Sequence, residues 1–133
     1  MIVVDANVLF PYVFETETSA EATRIRGVDP DWRFPRLWRQ EFSSALLKYV
    51  RAGRCTPAMA DKALAQALLL FSAHEVDAPD RRALALAQEH GLSAYDALYA
   101  TLAHELDTVL VTGDKALARR CPGLAVLMED FGR

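Results

Sequence analysis

Three uninterrupted apolar runs punctuate the chain: Ile2-Val3-Val4, Val109-Leu110-Val111 and Leu124-Ala125-Val126-Leu127. None alternates with polar residues, the pattern of parallel strands covered on both faces. Fainter strand signals surround Phe34 and Glu75-Val76. Between the runs, apolar residues recur with helical period. Trp38, Phe42, Ala45, Leu46, Tyr49 and Val50 form one stripe that stops near Gly53. Thr56-Pro57 supplies an N-cap followed by a proline at the first helical position, and the helix it opens carries Ala63, Leu64, Ala67, Leu68 and Phe71. Asp80 is placed to cap a helix that stops at Gly91, and Ser93 to start another through Leu106. A helix is also predicted over 16–27, and a short one from Asp114 to the Cys121-Pro122-Gly123 stop. Pro11 falls where the first helix should run, so a break or kink is expected there. Strands alternating with helices of this length predict βα units around a parallel sheet, hence an α/β fold. No internal repeat, low-complexity stretch or linker divides residues 1–133, and a single domain is expected.

Composition narrows the picture only where it excludes. The 52% hydrophobic and 25% charged content suits a globular chain able to bury a core without staples. Cys55 and Cys121 are too few and too far apart for a disulfide framework or a zinc site. Nothing before the first strand reads as a signal peptide and no apolar run is long enough to span a bilayer, so a cytoplasmic protein with reduced thiols and no membrane partner is expected. A formal net charge of −3 offers nucleic acid no global attraction. Any such binding must use local cations or metal ions.

The candidate chemistry lies in four acids. Asp5 ends the first strand, and Asp114 follows the Val109–Thr112 run after one glycine. Both therefore fall at carboxyl ends of strands, where open α/β sheets bind ligands. Glu41 and Asp96 each sit on the border of a helix's apolar stripe. Each acid also has a plainer reading. Asp5 and Asp114 could cap helices, Ser93 to Asp96 fits a capping box, and Glu41 could be a solvated charge. Four unrelated caps, however, need not occupy mutually compatible positions. Clustered carboxylates repel one another unless a cation neutralises them. An all-oxygen set favours Mg²⁺ or Mn²⁺, and such ions suit hydrolysis of phosphodiesters by activated water. These residues alone leave RNA and DNA both open as substrate.

The ordered set V-V-D5-A-N7-V-L, E41-F-S-S-A-L, S93-A-Y-D96-A-L-Y-A-T-L-A and V-T112-G-D114-K-A-L117 resembles the PIN-domain family, most closely its VapC-type ribonuclease toxins of bacterial toxin–antitoxin pairs. The resemblance spans essentially the whole chain. It implies a three-layer α/β domain around a central, mostly parallel sheet, and a ribonuclease that cuts single-stranded RNA with Mg²⁺ or Mn²⁺. By resemblance, Asp5, Glu41, Asp96 and Asp114 are catalytic and hold the metal, directly or through water. Asn7 and Thr112 would orient those carboxylates and waters. Family members often carry a further acid after the last motif Asp. Here Ala116 and Ala118 stand there, which leaves the number of ions open. Asp107 precedes its strand and lies at the wrong end to substitute.

RNA contacts would come from cations near the acids. Arg36, Arg39, Lys115, Arg119 and Arg120 are candidates, and Lys115 is chosen because it adjoins Asp114. The helix after Thr56 carries more apolar residues than one buried stripe needs, Met59, Leu69 and Leu70 among them, which points to an interface. The resemblance implies a homodimer and a cognate antitoxin protein that pushes a basic side chain into the acidic pocket. Three other readings stand beside the nuclease. A phosphatase with Asp5 as nucleophile wants an Asp where Asn7 stands. A receiver-like signalling domain needs a phosphoacceptor Asp after a central strand, and none stands out. A catalytically silent PIN-fold interaction module is opposed by the intact acidic quartet.

Overall fold

The structure is a computed structural model that describes residues 1–133. Its sheet comprises β1 (Ile2–Val4), β2 (Trp32–Arg33), β3 (Leu110–Thr112) and β4 (Ala125–Leu127), ordered β2-β1-β3-β4 and parallel throughout. The three apolar runs are the three longer strands. The two faint signals meet each other: Phe34, just beyond β2, forms a single parallel bridge with Glu75.

Seven helices surround the sheet: α1 (Ala6–Val13), α2 (Ser19–Val28), α3 (Trp38–Arg51), α4 (Pro57–Phe71), α5 (Asp80–His90), α6 (Ala94–Glu105) and α7 (Lys115–Arg120). The chain leaves β1 for β2 on one side and later returns to β3 on the other. With right-handed crossovers this places α1–α2 and α7 on opposite faces of the sheet. Helices α3 and α4 pack with α1, while α5 packs on α6, which lies against β1 and β3. The carboxyl ends of β1 and β3 flank the point where strand order reverses, the place where open α/β sheets form a binding crevice. No helix is long and apolar enough to cross a membrane.

Local signals explain several helix ends. The Thr56 hydroxyl accepts the Met59 amide at 3.1 Å, and Ser93 accepts the Asp96 amide at 3.0 Å. Gly91 ends α5 at φ 67°, a left-handed conformation that glycine adopts without steric cost. Two expectations need correction. Asp80 is the first residue of α5 rather than its cap, and Pro79 holds the cap position with no side-chain acceptor. Asp80 instead places a negative charge in the first turn, where the helix dipole favours it. Nor does Pro11 break α1, which runs through it to Val13. The bond that Pro11 cannot donate would have gone to the Asn7 carbonyl, and Asn7 is exposed to water.

Aromatic side chains bind α4 to the rest. Phe71 lies 5.6 Å from the Phe34 ring, 5.8 Å from Trp38 and 6.1 Å from Trp32. All four rings are fully buried. Phe71→Ala should cost about 3–5 kcal/mol in chemical denaturation, because rings at fixed positions on β2 and α3 cannot collapse into the hole. The opposite face of α4 is bare: Leu69 is 86% exposed, beside exposed Met59 and Leu70. The surplus of apolar residues read from the sequence is therefore a surface.

Candidate functional site

Asp5, Asn7, Glu41, Asp96 and Asp114 line one cleft of about 530 Å³ at the carboxyl edge of the sheet. Four separate elements deliver the acids, and Asn7 lies in the first turn of α1. Asp5 follows β1, Glu41 lies in the first turn of α3, Asp96 in the first turn of α6, and Asp114 precedes α7. Thr112 is buried beneath them at the end of β3.

Thr112 joins the two strand ends. Its hydroxyl donates to Asp5 Oδ2 at 2.8 Å and accepts the Asp114 amide at 3.0 Å, with Asn7 Nδ2 at 3.4 Å. Asn7 returns the link by accepting the Gly113 amide at 2.9 Å. A Cβ at position 113 would stand 3.5 Å from the Asn7 side chain and 3.3 Å from Met128 Sδ, so glycine lets this turn approach closely. Thr112→Val keeps the shape and removes these bonds. It should destabilise the fold by about 1–3 kcal/mol in chemical denaturation, since the buried Asp5 oxygen loses its donor.

The plainer readings of the acids divide. Asp114 does cap α7, with Oδ1 accepting the amides of Ala116 and Leu117 at 2.9 and 3.2 Å. Its other oxygen makes no hydrogen bond, so capping and facing the cleft are compatible. Asp5 holds the cap position of α1 but makes no capping bond. Only half of the capping box forms: Ser93 takes the Asp96 amide, and no carboxylate bond returns to the Ser93 amide. Glu41 is half-buried rather than solvated, and its Oε1 is buried without a partner.

Burial pushes the Asp5 carboxyl up to about 7; the Thr112 hydroxyl opposes this, and the charges of Glu41 and Asp96 add to it. Glu41 is raised by burial and by Asp96. Tyr99 pulls it back without closing a proper hydrogen bond, because its buried hydroxyl and Glu41 Oε1 both remain unpaired. Asp96 is raised by burial and by Asp114, against Ser93 and Arg120. The Tyr99 hydroxyl is held far above its ordinary value by burial and by the same acids.

This donor set suits a hard divalent cation. It is all oxygen, it includes an unpartnered buried carboxylate oxygen, and each shifted acid is raised partly by another. The acids share the cleft without any three of them converging as a ready-made coordination sphere.

The cations sort differently from the sequence reading. Lys115 and Arg119 line a separate hollow beside β4. Lys115 is the first residue of α7 and, although it follows Asp114 directly, it is not among the residues that line the acidic cleft. Arg39 is paired with Glu75, its Nε 2.9 Å from Oε1, and Arg120 donates to the Gly91 carbonyl at 2.9 Å. Lys48 is the one Lys or Arg among the residues lining the acidic cleft. Its signal was available in spacing, since Glu41, Ala45 and Lys48 recur at i, i+4 and i+7 on α3. Tyr99, three residues after Asp96, was likewise legible only as core.

A parallel sheet between helical layers, with an acidic cleft at its switch point, defines a three-layer α/β protein. The pattern of the PIN domain matches residues 2–121, and the chain belongs to the PIN domain family. Over 126 residues, 92% of this chain and 96% of the other, it is 30% identical to a protein named Ribonuclease VapC3 from Pyrobaculum aerophilum. Over 83 residues, 62% of each chain, it is 40% identical to one named Exonuclease VapC9 from the same organism. The crystal structure of PAE2754 from Pyrobaculum aerophilum matches with a TM-score of 0.76 at 30% identity, covering 96% of this chain and 90% of that one. The resemblance to VapC-type PIN proteins drawn from the motifs is thus borne out by family and relatives together.

Proposed function

We propose that this chain is a Mg²⁺- or Mn²⁺-dependent endoribonuclease, the toxin of a type II toxin–antitoxin pair. The single observation that carries the reading is the meeting of Asp5, Glu41, Asp96 and Asp114 in one cleft from four distant parts of the sequence. The relatives named as a ribonuclease and an exonuclease support nucleic-acid hydrolysis as the chemistry. The four carboxylates would hold the ion, directly or through water. When bound, it supplies an activated water and offsets the negative charge that builds on the phosphate. Thr112 fixes the Asp5 carboxylate by its 2.8 Å hydrogen bond, so that oxygen needs no reorganisation on loading. Asn7 fixes the Gly113 turn and through it the position of Asp114.

The partners follow from the same reading. An antitoxin protein with a basic side chain would find the raised carboxylates of the cleft a favourable counter-charge. The bare apolar face of α4 suits a homodimer contact.

Purified protein incubated with mixed cellular RNA should cut it, and EDTA should stop the cutting. Mapped ends inside RNA chains support the endonuclease; ends that recede from one terminus favour the exonuclease that one relative's name suggests. Intact RNA under every divalent ion would leave a silent module.

A further inference from the structure

We propose that Tyr95 and Lys48 form a subsite for single-stranded RNA beside the acidic cleft, Tyr95 stacking on a base and Lys48 meeting the phosphate between that base and the cut. The proposal rests on the nuclease reading and names how that site holds its substrate. A second hollow of about 560 Å³ adjoins the acidic cleft, and the two share Glu41, Ala45 and Lys48. Together they make a continuous path along one side of α3. Each volume lies within the range of ordinary ligand sites, roughly 300–1,000 Å³.

Two features of the second hollow suit a nucleotide. Tyr95, which immediately precedes Asp96, lines it and is 62% exposed. A large exposed ring next to the half-buried Asp96 offers a stacking face to any base. Gln40 and Ser44 line the same hollow and are exposed, so amide and hydroxyl groups stand where the edge of a stacked base would need partners. Lys48 is common to both cavities and lines the cleft that holds the acids. A phosphate reaching the carboxylates passes that cation. The arrangement favours a single strand, whose bases are free to splay, over a duplex with its bases stacked inside. Nothing comparable stands near Lys115, whose hollow lies apart from the acids.

The test compares wild type, Tyr95→Ala, Tyr95→Phe and Lys48→Ala on a short single-stranded RNA and its duplex form. Steady-state cleavage is measured alongside equilibrium binding of the same fluorescent RNA. Tyr95→Ala should raise KM and Kd for the single strand by about tenfold, with kcat held within about twofold, and Tyr95→Phe should restore both. Lys48→Ala should weaken binding and reduce the slope of log Kd against log salt by about one. Unchanged KM and Kd in Tyr95→Ala would overturn the subsite. So would losses on the duplex as large as those on the single strand. If wild type binds RNA through Tyr95 yet cuts none with any divalent ion, the nuclease reading fails and the subsite stands. If it neither binds nor cuts, both fall, and the groove is left for a protein partner.

Discussion

Asp96→Asn should lower metal-supported RNA cleavage more than about a hundredfold while leaving the melting temperature no lower than that of the wild type. Removing only the groups that orient a metal ligand typically costs about 10–100-fold, so losing a charged ligand should cost more. The fold is expected to survive because helix α6 is capped through the Asp96 backbone amide and the Ser93 hydroxyl, and neither depends on the carboxylate. Asparagine keeps the size of the side chain and removes one repulsive charge facing Asp114. Asp114→Asn is the matching control, since its amide oxygen can still cap α7. Activity should fall in that variant too, for the same reason of charge. Cleavage at wild-type rate in Asp96→Asn would remove that residue from the mechanism.

The second large effect is on stability, and it is a gain where most substitutions give a loss. The folded-state value of the Asp5 carboxyl lies near 7, above its ordinary 3.8. Between those values the folded protein keeps the proton that the unfolded chain has lost, so the Asp5 contribution to stability falls as pH rises from about 4 to about 7. Above that window the buried charge opposes folding by an amount on the order of 4 kcal/mol. Glu41 and Asp96 are raised as well and push in the same direction. In EDTA at pH 8, Asp5→Asn should therefore be more stable than wild type, and at pH 4 the two should be nearly equal. Asparagine can still accept the Thr112 hydroxyl, so the core bond is kept. Chemical denaturation across the pH range reads the difference directly. Millimolar Mg²⁺ should raise the wild-type stability at pH 8 and close much of the gap, by mass action on the folded state. A variant less stable than wild type at pH 8 would show that the Asp5 charge is not held at a cost.

How much of this was legible in the sequence depends on whether the signal was local. The strands announced themselves because Ile2–Val4, Val109–Val111 and Leu124–Leu127 are short, wholly apolar runs. Thr56-Pro57 and Ser93 gave correct helix starts because capping is a matter of one side chain and one amide three residues away. β2 was faint because it is two residues long and draws its order from Trp32 packing against Phe71, a partner far along the chain. Pro11 misled because its cost depends on the surroundings of the carbonyl it leaves unpaired, and that carbonyl belongs to Asn7, an exposed residue. For the candidate site, strand ends and stripe borders marked Asp5, Glu41, Asp96 and Asp114 as acids that could meet, the resemblance in motif order joined them, and the fold brings all four to one cleft. Adjacency in sequence was a poor guide to the cations. Lys115 follows Asp114 directly and faces another hollow, whereas Lys48 is seven residues from Glu41 and shares its cleft. The unpaired Tyr99 hydroxyl was invisible because the same spacing describes an ordinary core tyrosine.

Titration calorimetry of Mn²⁺ into metal-free protein at pH 8 tests the account at its root, beside the same titration of Asp5→Asn and Asp96→Asn. Saturable binding to the wild type is expected, with affinity at least about tenfold weaker in each variant. Equal heats in all three proteins, or none in any, would contradict it.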